Sequence, residues 1–388
     1  MKHNFDEIIP RRGTDSIKWD MIEDADVLPM WVADMDFKTP PEIIKALSDR
    51  AAQGVFGYNT IPAAFYDAII DWWKLSHQIV LKKEWLLPVP GMIPTISAVI
   101  RAYLQPGDQI LVQSPVYNHF YTLIENCGCN AVENHLMYSN GSYQIDFEDF
   151  ERKASDPKTK MLLLCNPHNP VGRVWTKEEL EKIALICSKY QVMVVSDEIH
   201  ADLVYNGHRH ISFASVAENL DLKSVTCGSP CKTFNISSLS VAYAISKDEE
   251  ILKKIEKVLI MQETESVNPF AAEALIAAYK YGRSWMEDLK EYLYDNYLYL
   301  VEFCKKYIPE ITVSPLEATY LVWLDCNFMG EKSDDLSQSL LKKEKLWLNA
   351  GSIYGSSGEG FLRINIACPR TMLEDGLQRL KRYIKGEE

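Results

Sequence analysis

Four short stretches have an unbroken apolar centre closed by Gly, Pro or polar residues: DQILVQSP at 108–115, KMLLLCNP at 160–167, QVMVVSDE at 191–198 and KSVTCGSP at 223–230. Runs that stay apolar, instead of alternating with polar residues, suit strands covered on both faces. They predict a mostly parallel sheet in an α/β fold. Between the second and third runs lies TKEELEKIALICSKY, whose apolar residues recur at helical spacing. Thr176 stands at its N-cap and Glu179 completes a capping box. Upstream, the tract VLPMWVADMDF ends at Thr39-Pro40-Pro41, a helix start before EIIKALSDRAAQ. An arm crossing onto another part of the molecule is expected there. GVFGYNTIPAAFYDAIIDWWKLSHQIV reads as a Gly- and aromatic-rich loop feeding an amphipathic helix, and LPVPGMIPTISAVIRAYL as a glycine turn opening a helix. Downstream, SWMEDLKEYLYDNYLYLVEFCKKY predicts one long helix. EATYLVWLD and FLRINIA predict strands, LWLNAGSIYG a strand with a loop, and MLEDGLQRLKRYIKG a terminal helix. Strands bracketed by helices predict a second, α+β unit.

Composition narrows the field. The chain of 388 residues has 47% hydrophobic and 24% charged residues, as expected of a globular protein without a long disordered tail. A net charge of −13 argues against nucleic acid as the main partner, because a phosphate backbone needs a cationic surface. The first residues lack the apolar core of a signal peptide, and no apolar run approaches membrane-spanning length, so a soluble cytoplasmic protein with no membrane partner is expected. Nine cysteines are scattered without the spacing of a zinc site, and buried, reduced thiols are the expectation. Cys127 and Cys129 would share one face if their segment is a strand.

In open α/β sheets chemistry gathers beyond the carboxyl ends of the strands. Here those ends carry Tyr117, Asn166, Asn169, Asp197, His200, Ser229 and Lys232. Lys232, in SPCKTFN, has small uncharged neighbours; desolvation would lower its pKa, as an amine needs for attack on an aldehyde, whereas a surface lysine would snorkel. Ser229 offers a hydroxyl to an anion. Asp197 is a helix cap or the partner of a buried cation, Asn169 a turn-former or a ligand, and His200 a core histidine or a supporting group. Gly91-Met92-Ile93, opening a helix after Pro90, presents backbone N–H groups suited to a phosphate. Arg363 sits on an apolar strand, where a carboxylate ligand or a structural ion pair would satisfy it. Together these groups fit pyridoxal 5'-phosphate and an amino-acid substrate.

The stretches LPMWVADMDF, FGYNTIP, SPVYNHF, CNPHNPVGRVW, SDEIHADLVY and SPCKTFNISSL occur in order along almost the whole chain. The sequence thereby resembles the fold-type I, aspartate-aminotransferase-like pyridoxal phosphate enzymes, and within them the cystathionine β-lyase (C–S lyase) subfamily of the MalY/PatB type. The resemblance implies a PLP-dependent transferase-like fold with a large α/β domain at 45–285, built on a mostly parallel seven-stranded sheet. It implies a smaller α+β domain from 1–44 and 286–388. It also implies that Lys232 carries the cofactor, that Asp197 holds its pyridine nitrogen protonated and that Tyr117 stacks on its ring. Asn169 would bond the phenolic oxygen with His200 near the same edge, while Ser229 and the Gly91, Met92 and Ile93 amides hold the phosphate. Tyr58 would reach the phosphate in a neighbouring subunit, which implies a homodimer. Arg363 would bind the substrate carboxylate, and Tyr354 with Trp31 or Asp34 would line the substrate pocket. One departure is Ser240, eight residues after the lysine, where aminotransferases of the superfamily commonly have a phosphate-gripping arginine. The implied activity is α,β-elimination of cystathionine, cysteine or S-conjugates to a thiol, pyruvate and ammonia. The alternatives are an aminotransferase on the same scaffold and a regulatory binding protein that keeps the fold.

Overall fold

The computed structural model describes residues 3–205, 207–217 and 220–387. Seven strands form the main sheet: β1 (Leu86–Val89), β2 (Gln109–Ser114), β3 (Asn130–His135), β4 (Thr159–Cys165), β5 (Met193–Asp197), β6 (Ser224–Gly228) and β7 (Ala242–Ile245). Their order is β1-β7-β6-β5-β4-β2-β3, and β7 is antiparallel to both of its neighbours while the remaining pairs are parallel. The unbroken apolar pattern has a direct cause. Ile110, Val112, Met161, Leu163, Met193 and Val195 enter one core, whereas the intervening Leu111, Leu162, Leu164 and Val194 enter a second core on the opposite face. A strand with one polar face would leave one of these layers unfilled.

Helix α1 (Pro41–Ala52) begins at the Pro pair, α2 is Ala63–Ser76, and α3 (Met92–Tyr103) follows β1 through Gly91. Helix α4 (Lys177–Tyr190) has the expected capping box: Thr176 accepts from the Glu179 amide, and Glu179 accepts from the Thr176 amide at 2.8 Å. Helix α5 (Arg283–Tyr307) is the long helix, and α6 (Arg370–Lys385) closes the chain. A four-stranded antiparallel sheet, β8 (Thr312–Val313), β9 (Leu321–Asp325), β10 (Asn349–Ala350) and β11 (Phe361–Asn365), has the order β8-β9-β11-β10. The N-terminal arm crosses onto this sheet. Leu28–Pro29 pairs with Leu346–Trp347 in parallel, and the Asn365 amide donates to Met30 O at 2.9 Å.

Some elements depart from the sequence pattern. Strand β3 is mostly polar and exposed because it is the sheet edge, so it lacks the apolar run of its neighbours. Cys127 caps a short helix and Cys129 precedes β3, so the two do not share a strand face. All nine cysteines are free thiols, eight of them buried.

Candidate active site

Beyond the carboxyl ends of β2, β4, β5 and β6 the chain leaves a cavity of about 370 Å³. Its floor includes Asp197 and Lys232, its walls Tyr117, Asn169, His200 and Ser229, and its rim Trp31 and Ile353. The strand ends create it: β5 terminates in Asp197, and β6 ends in Gly228 immediately before Ser229. A side chain at 228 would collide with the Tyr243 ring at 2.6 Å, so glycine lets β6 lie close against β7 while the following residues turn into the cavity loop.

Asp197 is buried, and its Oδ1 accepts the Ile199 amide at 3.1 Å. This local bond is the cap-like role. Among the described residues it has no ion-pair partner, and desolvation, with Glu198 adding repulsion, pushes its pKa up to about 7. A buried carboxyl raised this far would be returned to its ionised form by a cation placed beside it. Lys232 lies half-buried, with Nζ donating to Ala33 O at 2.6 Å. Desolvation holds its pKa below the usual lysine value against the opposing pulls of Cys231, Asp34 and Asp197, with the positive charge of Arg363 as a lesser aid.

Arg363 is buried on β11 and makes no ion pair among the described residues, so the structural-pair alternative falls. Its Nη1 donates to Asn169 Oδ1 at 3.1 Å and its Nη2 to Trp31 O at 2.8 Å, while Nε is buried without an acceptor. A guanidinium committed only to neutral oxygens retains its affinity for a carboxylate. His200 is also buried, its Nδ1 has no partner, and desolvation plus the charges of Lys232 and Arg363 lower its pKa to about 3. The ring is neutral at physiological pH.

Helix α3 points its N-terminus at the cavity. Gly91 has φ +127°, which an L side chain rarely adopts, and the first-turn amides of Met92 and Ile93 have no intrahelical acceptor. Ser229 Oγ donates to Val241 O at 2.6 Å and accepts from the Cys231 amide at 3.1 Å. Its hydroxyl proton is therefore already engaged. Ser240, at φ +50°, also lines the cavity.

Three expected residues sit elsewhere. Tyr354 is fully buried and lies beneath Arg363, whose guanidinium carbon is 4.9 Å from its ring centroid; the cavity wall there is Ile353. Asp34 is not in the cavity lining, because Arg11 Nη2 holds its Oδ2 at 2.7 Å; Trp31 does line it. Tyr58 projects from an exposed loop and does not reach the cavity within one chain.

Sequence reasoning missed how the rim is held. Asn365 Nδ2 donates to both Val32 O and Asp34 O at 2.6 Å, Asn235 Nδ2 to Met35 O at 3.0 Å and Phe37 O at 2.9 Å, and Asn349 Nδ2 to Trp31 O at 2.9 Å. Asn365 follows Arg363 by two residues on one strand, so the period of two was the available signal.

An ion-demanding floor carboxyl, a low-pKa lysine, a helix N-terminus and a carboxylate-ready arginine around one cavity suit pyridoxal 5'-phosphate. They define the class as an α/β enzyme of the pyridoxal phosphate kind. The family model for aminotransferase class I and II matches residues 25–380, and the chain belongs to that family. It is similar to cystathionine beta-lyase PatB of Bacillus subtilis, 41% identical over 97% of this chain and 99% of PatB. Protein MalY of Escherichia coli is 34% identical over 99% of both chains. Cystalysin of Treponema denticola, a crystal structure containing pyridoxal 5'-phosphate, superposes with a TM-score of 0.96 at 32% identity over the whole of both chains.

Proposed function

We infer that the chain is a pyridoxal phosphate-dependent carbon–sulfur β-lyase acting on cystathionine, cysteine or related S-conjugates. The observation that carries this reading is the pairing, in one cavity, of a depressed-pKa lysine with a buried arginine that lacks a carboxylate partner. The similarity to PatB, MalY and cystalysin supports the elimination branch.

Asp197 would face the pyridinium of the cofactor, Tyr117 its ring, Asn169 and His200 its phenolic edge, and Gly91, Met92, Ile93 and Ser229 its phosphate. When bound, the cofactor supplies an electron sink that stabilises negative charge at the substrate Cα. Arg363 would fix the α-carboxylate and so orient the Cα–H bond. Lys232, with a pKa lowered by its surroundings, would take the α-proton as general base. Asp197, ionised by the adjacent cation, would hold that cation's proton in place. Ser229 would serve the phosphate by turning its hydroxyl away from Val241 O. Tyr354 would support Arg363 from below and not touch substrate.

We also propose a unit at 45–285 that holds the cofactor and a smaller unit from 1–44 and 286–388. All seven main-sheet strands lie in the first and the four-stranded sheet in the second, which supports this division. A homodimer is proposed on the loop around Tyr58, where Val55, Phe56 and Tyr58 are 71%, 61% and 109% exposed. Adjacent apolar side chains in water favour a covering surface, and a second copy would bring Tyr58 to the other cavity. A monomer by sedimentation would contradict this. A cytoplasmic location accords with the free thiols; among the described residues no helix is long and apolar enough to cross a membrane.

Purified protein loaded with cofactor is expected to release pyruvate from L-cystathionine with no oxo acid added. Turnover only when an oxo-acid acceptor is supplied would contradict the lyase and favour an aminotransferase.

A further inference from the structure

On the β-lyase reading, the reaction needs a proton donor for the departing sulfur. Breaking the Cβ–S bond leaves an electron pair on an alkyl thiolate, whose conjugate acid has a pKa of about 8.5. Protonating the sulfur as it leaves lowers that barrier.

The titratable groups lining the cavity can be taken in turn. Lys232 is committed to the α-proton and Asp197 to the cofactor's cation. Arg363 does not release its protons. His200 is neutral, with a pKa near 3. Burial pushes up the Cys165 and Cys231 thiols, and both donate to backbone carbonyls. Burial also pushes up the Tyr117 phenol.

His119 remains. It opens the short helix His119–Asn126, lines the same cavity, and is solvent-exposed. Its ring centroid is 5.3 Å from that of Tyr117, and neither ring nitrogen has a hydrogen-bond partner among the described residues. Partial burial and the charge of Lys232 hold its pKa below the usual histidine value, so the ring carries a proton only toward the acid side of neutrality and there gives it up readily.

We propose that His119 delivers a proton to the sulfur atom as the Cβ–S bond breaks. The Lys232 amine takes the Cα proton, the C–H electron pair becomes the Cα=Cβ bond, and the Cβ–S pair departs on sulfur. The imidazolium N–H proton moves to that sulfur, leaving a neutral thiol and a neutral imidazole. The exposed ring then regains a proton from solvent. Water converts the released aminoacrylate to pyruvate and ammonia.

The test compares S-methyl-L-cysteine, whose thiolate is basic, with S-(nitrophenyl)-L-cysteine, whose thiolate needs little help, in wild-type holoenzyme and His119→Gln. His119→Asn serves as the second variant, and the visible spectrum reports cofactor loading. The expected result is a loss of about 100-fold in kcat on the methyl substrate, at least about tenfold greater than the loss on the aryl substrate. The wild-type rate on the methyl substrate should fall as His119 loses its proton with rising pH, and the variants should lack this limb. An NMR titration of the holoenzyme should show a titrating imidazole resonance that His119→Gln removes. Equal losses on both substrates, no loss on either, or a ring that does not titrate would overturn the proposal while leaving the β-lyase reading intact. No pyruvate from wild type with either substrate would sink that underlying reading as well.

Discussion

The arm that carries Trp31 and the floor that carries Asp197 border one cavity, yet they treat buried charge in opposite ways. In the arm, Lys18 is buried with Nζ 2.7 Å from Asp36 Oδ2, and Asp36 Oδ1 also receives Arg11 Nη1 at 2.9 Å and Trp19 Nε1 at 2.8 Å. Burial pulls the Lys18 pKa down, but Asp36 and Asp34 outweigh it and raise it above the usual value. On the floor, by contrast, burial wins: Asp197 is driven toward neutrality and Lys232 is depressed, and neither makes an ion pair among the described residues. A cluster of paired ions supports the fold, whereas unpaired buried charges await a ligand. The arm fixes the rim through the backbone carbonyls of residues 31–37, and the floor supplies the chemistry.

The largest effect should come from breaking the satisfied side. Asp36→Ala strips buried Lys18 of its 2.7 Å partner and leaves Lys18 and Arg11 to share Asp34 alone, and is expected to cost about 5 kcal/mol, read as a fall in the denaturation midpoint. A midpoint close to wild type would show that the arm is not what holds the rim.

The floor should respond in the other direction. In cofactor-free protein the Asp197 pKa of about 7 exceeds the value of about 4 expected in an unfolded chain. Between those values the folded form binds a proton that the unfolded chain has lost. This group's contribution is therefore fully present below about pH 4 and is lost as pH rises to about 7, by as much as about 4 kcal/mol. Thermal unfolding across that window should show the decline, Asp197→Asn should flatten it, and added cofactor should oppose it. An identical slope in the variant would contradict the assignment.

A smaller change is expected at Arg363. Replacement by Gln keeps a neutral donor near Asn169 while removing the charge for the substrate carboxylate, and kcat/KM should fall about 100-fold, chiefly through KM. The folding midpoint should change little, in contrast with Asp36→Ala.

Much of this was readable in the sequence, for identifiable reasons. Strands buried on both faces gave continuous apolar runs, so β2, β4, β5 and β6 and the residues at their ends stood out. The edge strand β3 was obscured by its polar composition and β1 by its proline, while β7, only four residues long, makes no run that stands out. Lys232, Asp197 and Arg363 were visible because charge inside an apolar context is improbable without a purpose. Tyr354 was misplaced because a loop sequence does not reveal which of two adjacent residues faces the cavity; Ile353 does, and Tyr354 packs beneath the arginine. Asp34 is turned aside by Arg11, 23 residues upstream, and the carbonyl-holding Asn235, Asn349 and Asn365 depend on contacts across about 200 residues or more by side chains whose type suggests only turns.

The claim beneath all of this is that one floor amine carries the cofactor. Borohydride reduction of the holoenzyme, followed by peptide mass analysis, tests it directly. The expected result is the mass of the reduced cofactor on the peptide containing Lys232, with no label in Lys232→Ala. Label on a different lysine, or a native protein that retains no cofactor after reduction, would contradict it.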